Sequence, residues 1–272
     1  MKLTVLVDNN TFIDQYYLGE PGVSYYIEDE KTKLLFDVGY SDIFLSNAKL
    51  LNIDLSKLTH IVLSHGHDDH TKGLVYLKDQ YDLSNVEMIA HPDCFYPKYI
   101  DGQSIGSLLT LEEVQNITNL KFSKEPYEIN DRLIFLGEIP NIINFEQRIP
   151  IGEVIKENKT EPDILLDDTA IVYKADEGLF VITGCSHSGI CNIIEYAKNI
   201  CESDKILGVI GGFHMFDCDE RLNHTIKYLE KQKIPMLYPG HCISFQAKAM
   251  INNFLAVRDL GVGLEIEIIN KC

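Results

Sequence analysis

Short apolar runs recur along this chain, mostly β-branched or aromatic and bounded by Gly, Pro or Asp. Such runs predict strands. They are "LTVLVD", "VSYYIE", "KLLFDVG", "HIVLS", "VEMIAH", "RLIFLGE", "TAIVYKAD", "LFVITG", "ILGVIGG" and "PMLYPG". Between some of them the spacing turns helical. "SDIFLSNAKLLNI" predicts a helix with Ser41 as N-cap. "GICNIIEYAKNICES" places Ile190, Ile193, Ile194, Ala197 and Cys201 on one face. "DERLNHTIKYLEKQ" carries Leu222, Ile226 and Leu229 behind a cap at Asp219. "SFQAKAMINNFLAVRDLG" predicts a helix stopped by Gly261.

The order is not a strict β-α alternation. Hairpin-like strands open each half, and helices alternating with strands follow. Two mixed sheets facing each other, with helices outside, accommodate that order. The expected class is therefore α/β, a four-layer αββα sandwich, in a single domain over residues 1–272. The stretch 139–163 is polar, holds three prolines and lacks clean periodicity. Long loops of that kind are usually functional or disordered. It is expected to be a loop beside the site, within a loop or flap region spanning about 96–163.

Charge narrows the choice of partner. The 24 basic and 41 acidic residues give a formal charge of -17, which argues against nucleic acid or an anionic membrane. An anionic small substrate remains compatible, because a bound cation reverses the local field. No apolar run approaches the roughly 20 residues of a membrane helix. The opening "MKLTVLVDNN" reads as a strand rather than a signal peptide. Seven cysteines, with no CxxC pair, point to reduced thiols and a cytoplasmic setting. A homo-oligomer is left open.

Candidate chemistry concentrates where "HIVLS" runs out. There follow His65, Gly66, His67, Asp68, Asp69 and His70. Residues two apart on an extended segment point the same way, so His65 and His67 could grip one ion. Gly66 lets the backbone pass close to that ion. If a helix begins next, Asp69 and His70 lie side by side and reach a second ion. Imidazole and carboxylate suit zinc first, with manganese or iron as alternatives. The bland reading is a solvated polar loop. Other strands also finish near a histidine: His91, His187, His214 and His241. Strand carboxyl ends can converge on one sheet edge and gather ligands distant in sequence.

The stretch "LLFDVGYSDIFLSNAKLLNIDLSKLTHIVLSHGHDDHTKGL" resembles the signature region of the metallo-β-lactamase-fold hydrolases. "LYPGHC" resembles the late Gly-His of that superfamily. "TGCSHSGICN" with "GGFH" is similar to a narrower branch, the dihydropterin (ribofuranosyl)aminobenzene phosphate synthase-like proteins. The resemblance spans almost the whole chain and is weakest over about 96–163. It implies His65, His67, Asp69, His70 and His241 as ligands of one or two divalent ions. The commoner pattern has a histidine before one strand and a bridging aspartate in "TGD" after it. Here "LLDDTAIVY" and "TGCSH" stand instead. The branch suggests His187 as the remaining imidazole, and Asp168 or Cys185 is the candidate bridge.

Several other residues admit blander roles. His214 is a proton donor to a leaving group or a strand-end cap. His91, before Pro92, reads as structural; so do His60 and His224. "GCSHSG" misses the serine elbow G-x-S-x-G by one place. A Cys185–His187 thiolate pair is the other covalent option. Asp167 and Asp168 either cap backbone at a turn or stand beside metal. The tyrosine-rich segments fit half-buried strands better than a substrate cleft. The resulting expectation is a metal-dependent, phosphodiesterase-like hydrolase for a small phosphorylated or anionic substrate. Bound ions would lower the pKa of a water to about 7, with Asp69 and His214 in catalytic roles. The alternatives are a pterin-pathway synthase and a metal-holding binding protein without turnover.

Overall fold

The computed structural model describes residues 1–270. All ten strand-like runs contain strands, and the fold is mixed α/β. The chain divides into two compact units. The first comprises Met1–Lys124, Pro150–Asp167 and Gly261–Ile268; the second, Glu125–Ile149, Asp168–Leu260 and the stretch after Ile268.

In the first unit, the main sheet runs Glu265–Glu267, Lys2–Val7, Ser24–Asp29, Thr32–Phe36, His60–Val62, Glu87–Ala90, Asn119–Phe122. Neighbours are antiparallel as far as Thr32–Phe36 and parallel from there on. Leu35, Ile61, Leu63 and Met88 are buried against Phe44, Leu74, Leu77 and Val114 of the helices.

In the second unit, the sheet runs Met236–Gly240, Ile206–Gly212, Gly178–Thr183, Ala170–Ala175, Leu133–Phe135, Tyr127–Glu128. The first three of these are parallel and the rest antiparallel. The helix Ile190–Cys201 buries the face expected from its spacing, Ile190, Ile193, Ile194, Ala197 and Cys201. Each fully buried isoleucine there is worth about 1.5–3 kcal/mol. Asp219 caps the helix Glu220–Gln232, accepting from Leu222 N at 2.9 Å.

Three expectations need correction. Ser41 does not cap the first helix, which is Ile43–Leu50 with Asp42 at the cap position. The Ser41 hydroxyl, one residue earlier, donates to Glu20 Oε2 at 2.5 Å and accepts a long bond from Ile43 N at 3.4 Å. The helix after Ser244 is Phe245–Asn252 and stops well short of Gly261. Beyond it the chain pairs with the exposed sheet edge: Val257 bridges Leu237, and Arg258 N donates to Leu237 O at 2.8 Å. Edge backbone groups outcompeted the helical spacing.

Nor is 139–163 one structureless loop. Glu153–Lys156 and Lys159–Pro162 form a hairpin, continued by Lys98–Ile100 and Gln103–Ser104 into a four-stranded sheet among the described residues. Glu157 and Asn158 turn the hairpin with positive φ at both positions, a geometry usually signalled by Asn-Gly.

Candidate metal centre

Parallel strands put their carboxyl ends on one sheet edge, and in each unit the chemistry gathers there. In the first unit, Thr32–Phe36 leads to Asp37 and the neighbouring parallel strand His60–Val62 leads to Ser64 and His65. In the second, the three parallel strands deliver His187, His214 and His241. Asp37, Ser186, His214 and His241 all adopt positive φ, between 48° and 61°. Strain of this kind in non-glycine residues clusters at functional sites.

His65, His67 and Asp69 bring one donor atom each to within 4.8 Å of one another. His65 Nε2 and His67 Nδ1 lie 3.1 Å apart. Two nitrogens bound tetrahedrally to one zinc at 2.0–2.1 Å would be roughly 3.3 Å apart, so this pair is spaced like two ligands of one ion. A helix begins at Asp68 as expected, and it sets His70 Nε2 3.6 Å from Asp69 Oδ2. Gly66 is required by packing as well. A Cβ there would run into the Cys94 carbonyl, so the close approach is to another backbone.

Hydrogen bonds fix the imidazole tautomers. Asp37, fully buried, accepts from Ser64 N and Ser64 Oγ, both at 2.7 Å, and from His70 Nδ1 at 2.6 Å. The Ser64 proton is thereby committed to Asp37. His65 Nδ1, 2.9 Å from Ser64 Oγ, must carry its own proton and donate it. The Nε2 atoms of both His65 and His70 are left with their lone pairs available, the form a metal needs. Burial pushes His67 down to about 4, with Lys98 acting in the same direction and Asp69 against it, so its ring is also neutral at pH 7. Asp37 had no assigned role in the sequence; its signal was an acid at the end of a buried strand. Replacing Asp37 with Ala is expected to weaken metal affinity about 10–100-fold, measured by chelator competition.

Asp167 accepts from Gly66 N at 2.8 Å and from Lys98 Nζ at 3.2 Å. Burial acts to raise its pKa, but Lys98, His67, the Gly66 N–H and His91 together outweigh this and hold it below the usual carboxylate range. In the second unit, Asp168 Oδ2 accepts from Ser188 N at 2.8 Å and Ser188 Oγ at 2.5 Å, anchoring the loop that carries His187. Burial pushes Asp168 up. Its Oδ1 is buried and makes no hydrogen bond among the described residues. Both aspartates thus cap buried backbone N–H groups rather than an exposed turn.

Cys185 Sγ lies within 4.8 Å of a ring nitrogen of His187 and of one of His241. The His214 ring stands 4.4 Å from that of His187. Ser186 is fully buried and donates to Gly212 O at 2.6 Å, which ends the serine-elbow reading. His91 Nδ1 accepts from Asp93 N at 3.1 Å, a structural cap. His60 contacts Thr59 Oγ1 at 2.8 Å, and His224 packs on Phe145.

The family model described as "Metallo-beta-lactamase superfamily" matches residues 18–241. The chain belongs to the metallo-beta-lactamase superfamily. Two relatives from Methanocaldococcus jannaschii extend the match. One, an uncharacterized protein, is 36% identical over 93% of this chain and 96% of its own. The other is named 7,8-dihydropterin-6-methyl-4-(beta-D-ribofuranosyl)-aminobenzene-5'-phosphate synthase, 31% identical over 92% of this chain and 90% of its own. A solved structure described as a metal-dependent hydrolase of the beta-lactamase superfamily has TM-score 0.83 and 30% identity, covering 98% of this chain and 99% of that one. Zinc-bound PqqB from Methylobacterium extorquens, at 12% identity and TM-score 0.60 over 98% and 100% of the chains, shares the fold.

Superfamily members generally bind divalent metals, and the donors of this chain fit such an ion. Neutral imidazoles with carboxylates beside them suit borderline cations. Among the described residues, Cys94, Cys191, Cys201 and Cys218 are free thiols; Cys272 lies outside them. No described helix is long and apolar enough to cross a membrane.

Proposed function

We propose that this chain is a metal-dependent hydrolase acting on a small phosphorylated or otherwise anionic substrate. The observation that carries the reading is the first unit's donor set, in which Asp37 and Ser64 orient His65 and His70 and leave Nε2 of each for an ion. His65, His67, Asp69, His70, His187 and His241 are the proposed ligands of one or two divalent ions, with zinc the first choice. Cys185 is favoured over Asp168 as a further ligand, because its sulfur stands beside His187 and His241. When bound, such an ion supplies Lewis-acid polarisation of the substrate and activation of water.

The chain's own groups do the rest. Asp69 orients the attacking water by accepting its proton in a hydrogen bond. His214, beside His187, hands a proton to the departing oxygen. The cationic centre anchors the substrate's anionic group in an otherwise acidic protein. The partner is a small molecule, with no role for nucleic acid or membrane, and the setting is cytoplasmic.

The name of the 31% identical relative favours a second reading, a synthase-like enzyme of pterin metabolism. A panel of chromogenic phosphodiesters and esters tests the first. Turnover that requires added zinc or manganese is expected. No hydrolysis of any member, with a pterin product formed from a dihydropterin and the aminobenzene ribofuranosyl phosphate, would favour the second.

A further inference from the structure

Lys98 is almost fully buried, yet the metal chemistry does not use it. Its ammonium bonds Asp163 Oδ2 at 2.6 Å and Asp167 Oδ1 at 3.2 Å. Two carboxylates for one ammonium is an expensive arrangement in a dry interior, where an apolar cluster would serve stability as well or better. Asp163 also accepts from Leu165 N at 2.9 Å. Leu165 is buried with φ of 53°, a left-handed conformation that a branched, bulky residue rarely adopts. Such strain persists only where the surroundings over-determine it.

What the strained turn delivers is Asp167. Its Oδ2 accepts from Gly66 N at 2.8 Å, and Gly66 is the residue between His65 and His67. The Lys98 stem lies against the same glycine: a Cβ on Gly66 would come within 2.9 Å of Lys98 Cε. A buried chain of contacts therefore runs from Asp163 through Lys98 and Asp167 to the backbone that sets the angle between the two imidazoles.

We propose that Lys98 and Asp167 are positioning residues for the metal centre, bracing the Gly66 backbone so that His65 and His67 stay poised at ligand spacing before any ion arrives. This rests on the metal-binding reading above. Neither residue belongs to the groups of donor atoms that could hold an ion. They act by removing the freedom that the His65–His67 loop would otherwise lose on binding.

The test is zinc affinity of the purified full chain, by competition with a chromophoric chelator, for wild type, Asp167→Asn and Lys98→Met. Thermal unfolding of the metal-free forms is followed in parallel. Each variant is expected to bind zinc about 10–100-fold more weakly, the usual cost of losing an outer partner of a ligand. A folded variant that unfolds at lower temperature yet binds zinc within about twofold of wild type would show a purely structural brace and overturn the proposal, since loss of an outer partner costs far more than that. Wild type that takes up no zinc would sink the metal reading itself, and this inference with it. If neither variant folds, amide exchange in metal-free wild type decides. A protected Gly66 amide is expected, and exchange as fast as in exposed loops overturns the proposal.

Discussion

His67→Ala is expected to abolish turnover and lower the metal content of the purified protein. The ring it removes is nearly buried, neutral at pH 7, and 3.1 Å from His65 Nε2. Asp69 already belongs to the same group of donors, and alanine leaves a gap lined by the His65 ring. Loss of an outer partner alone costs about 10–100-fold in metal affinity or activity, so a direct ligand should cost more than about 100-fold. Metal analysis beside a steady-state rate checks this. Unchanged metal content and rate would remove the mechanism. The backbone should tolerate the change, because Asp167 holds Gly66 and not His67.

His187→Ala is expected to lose at least one ion per chain. His187 sits on a loop anchored from two sides, by Asp168 on Ser188 and by Asn192 Nδ2 on Ser188 O at 2.7 Å. That rigidity suits a ligand more than a surface histidine. Its neighbour Cys185 would keep a sulfur near His241, so partial retention of metal is compatible with the account. Full stoichiometry in the variant would place the third ligand elsewhere. Asp168, whose buried Oδ1 makes no hydrogen bond among the described residues, is then the first position to change.

Much of this was legible in the chain. Apolar runs with β-branched residues located every strand named from the sequence, because burial on a sheet selects those residues strongly. The H-x-H-x-D-H spacing singled out His65, His67 and Asp69, whose donor atoms lie within 4.8 Å of one another, since side-chain direction on a short extended segment is fixed locally. What escaped was whatever depended on distant partners. Asp37 is separated from His70 by 33 residues, and Asp167 from Gly66 by 101. The hairpin turn Glu157–Asn158 lacks the glycine that usually advertises positive φ. By contrast, Thr110 and Glu113 form a capping box over the helix Leu111–Ile117, a T-x-x-E signal carried wholly by local sequence. The helix stopped by Asn252 shows the opposite failure: local spacing favoured continuation, and an open strand edge took the chain instead.

The central claim is that this donor set holds a divalent cation. Elemental analysis of the untreated protein, followed by titration of the chelated chain with zinc, tests it most directly. At least one equivalent of bound zinc, manganese or iron per chain is predicted, recovered on titration. A chain that is isolated without metal and takes up none when titrated would contradict the account.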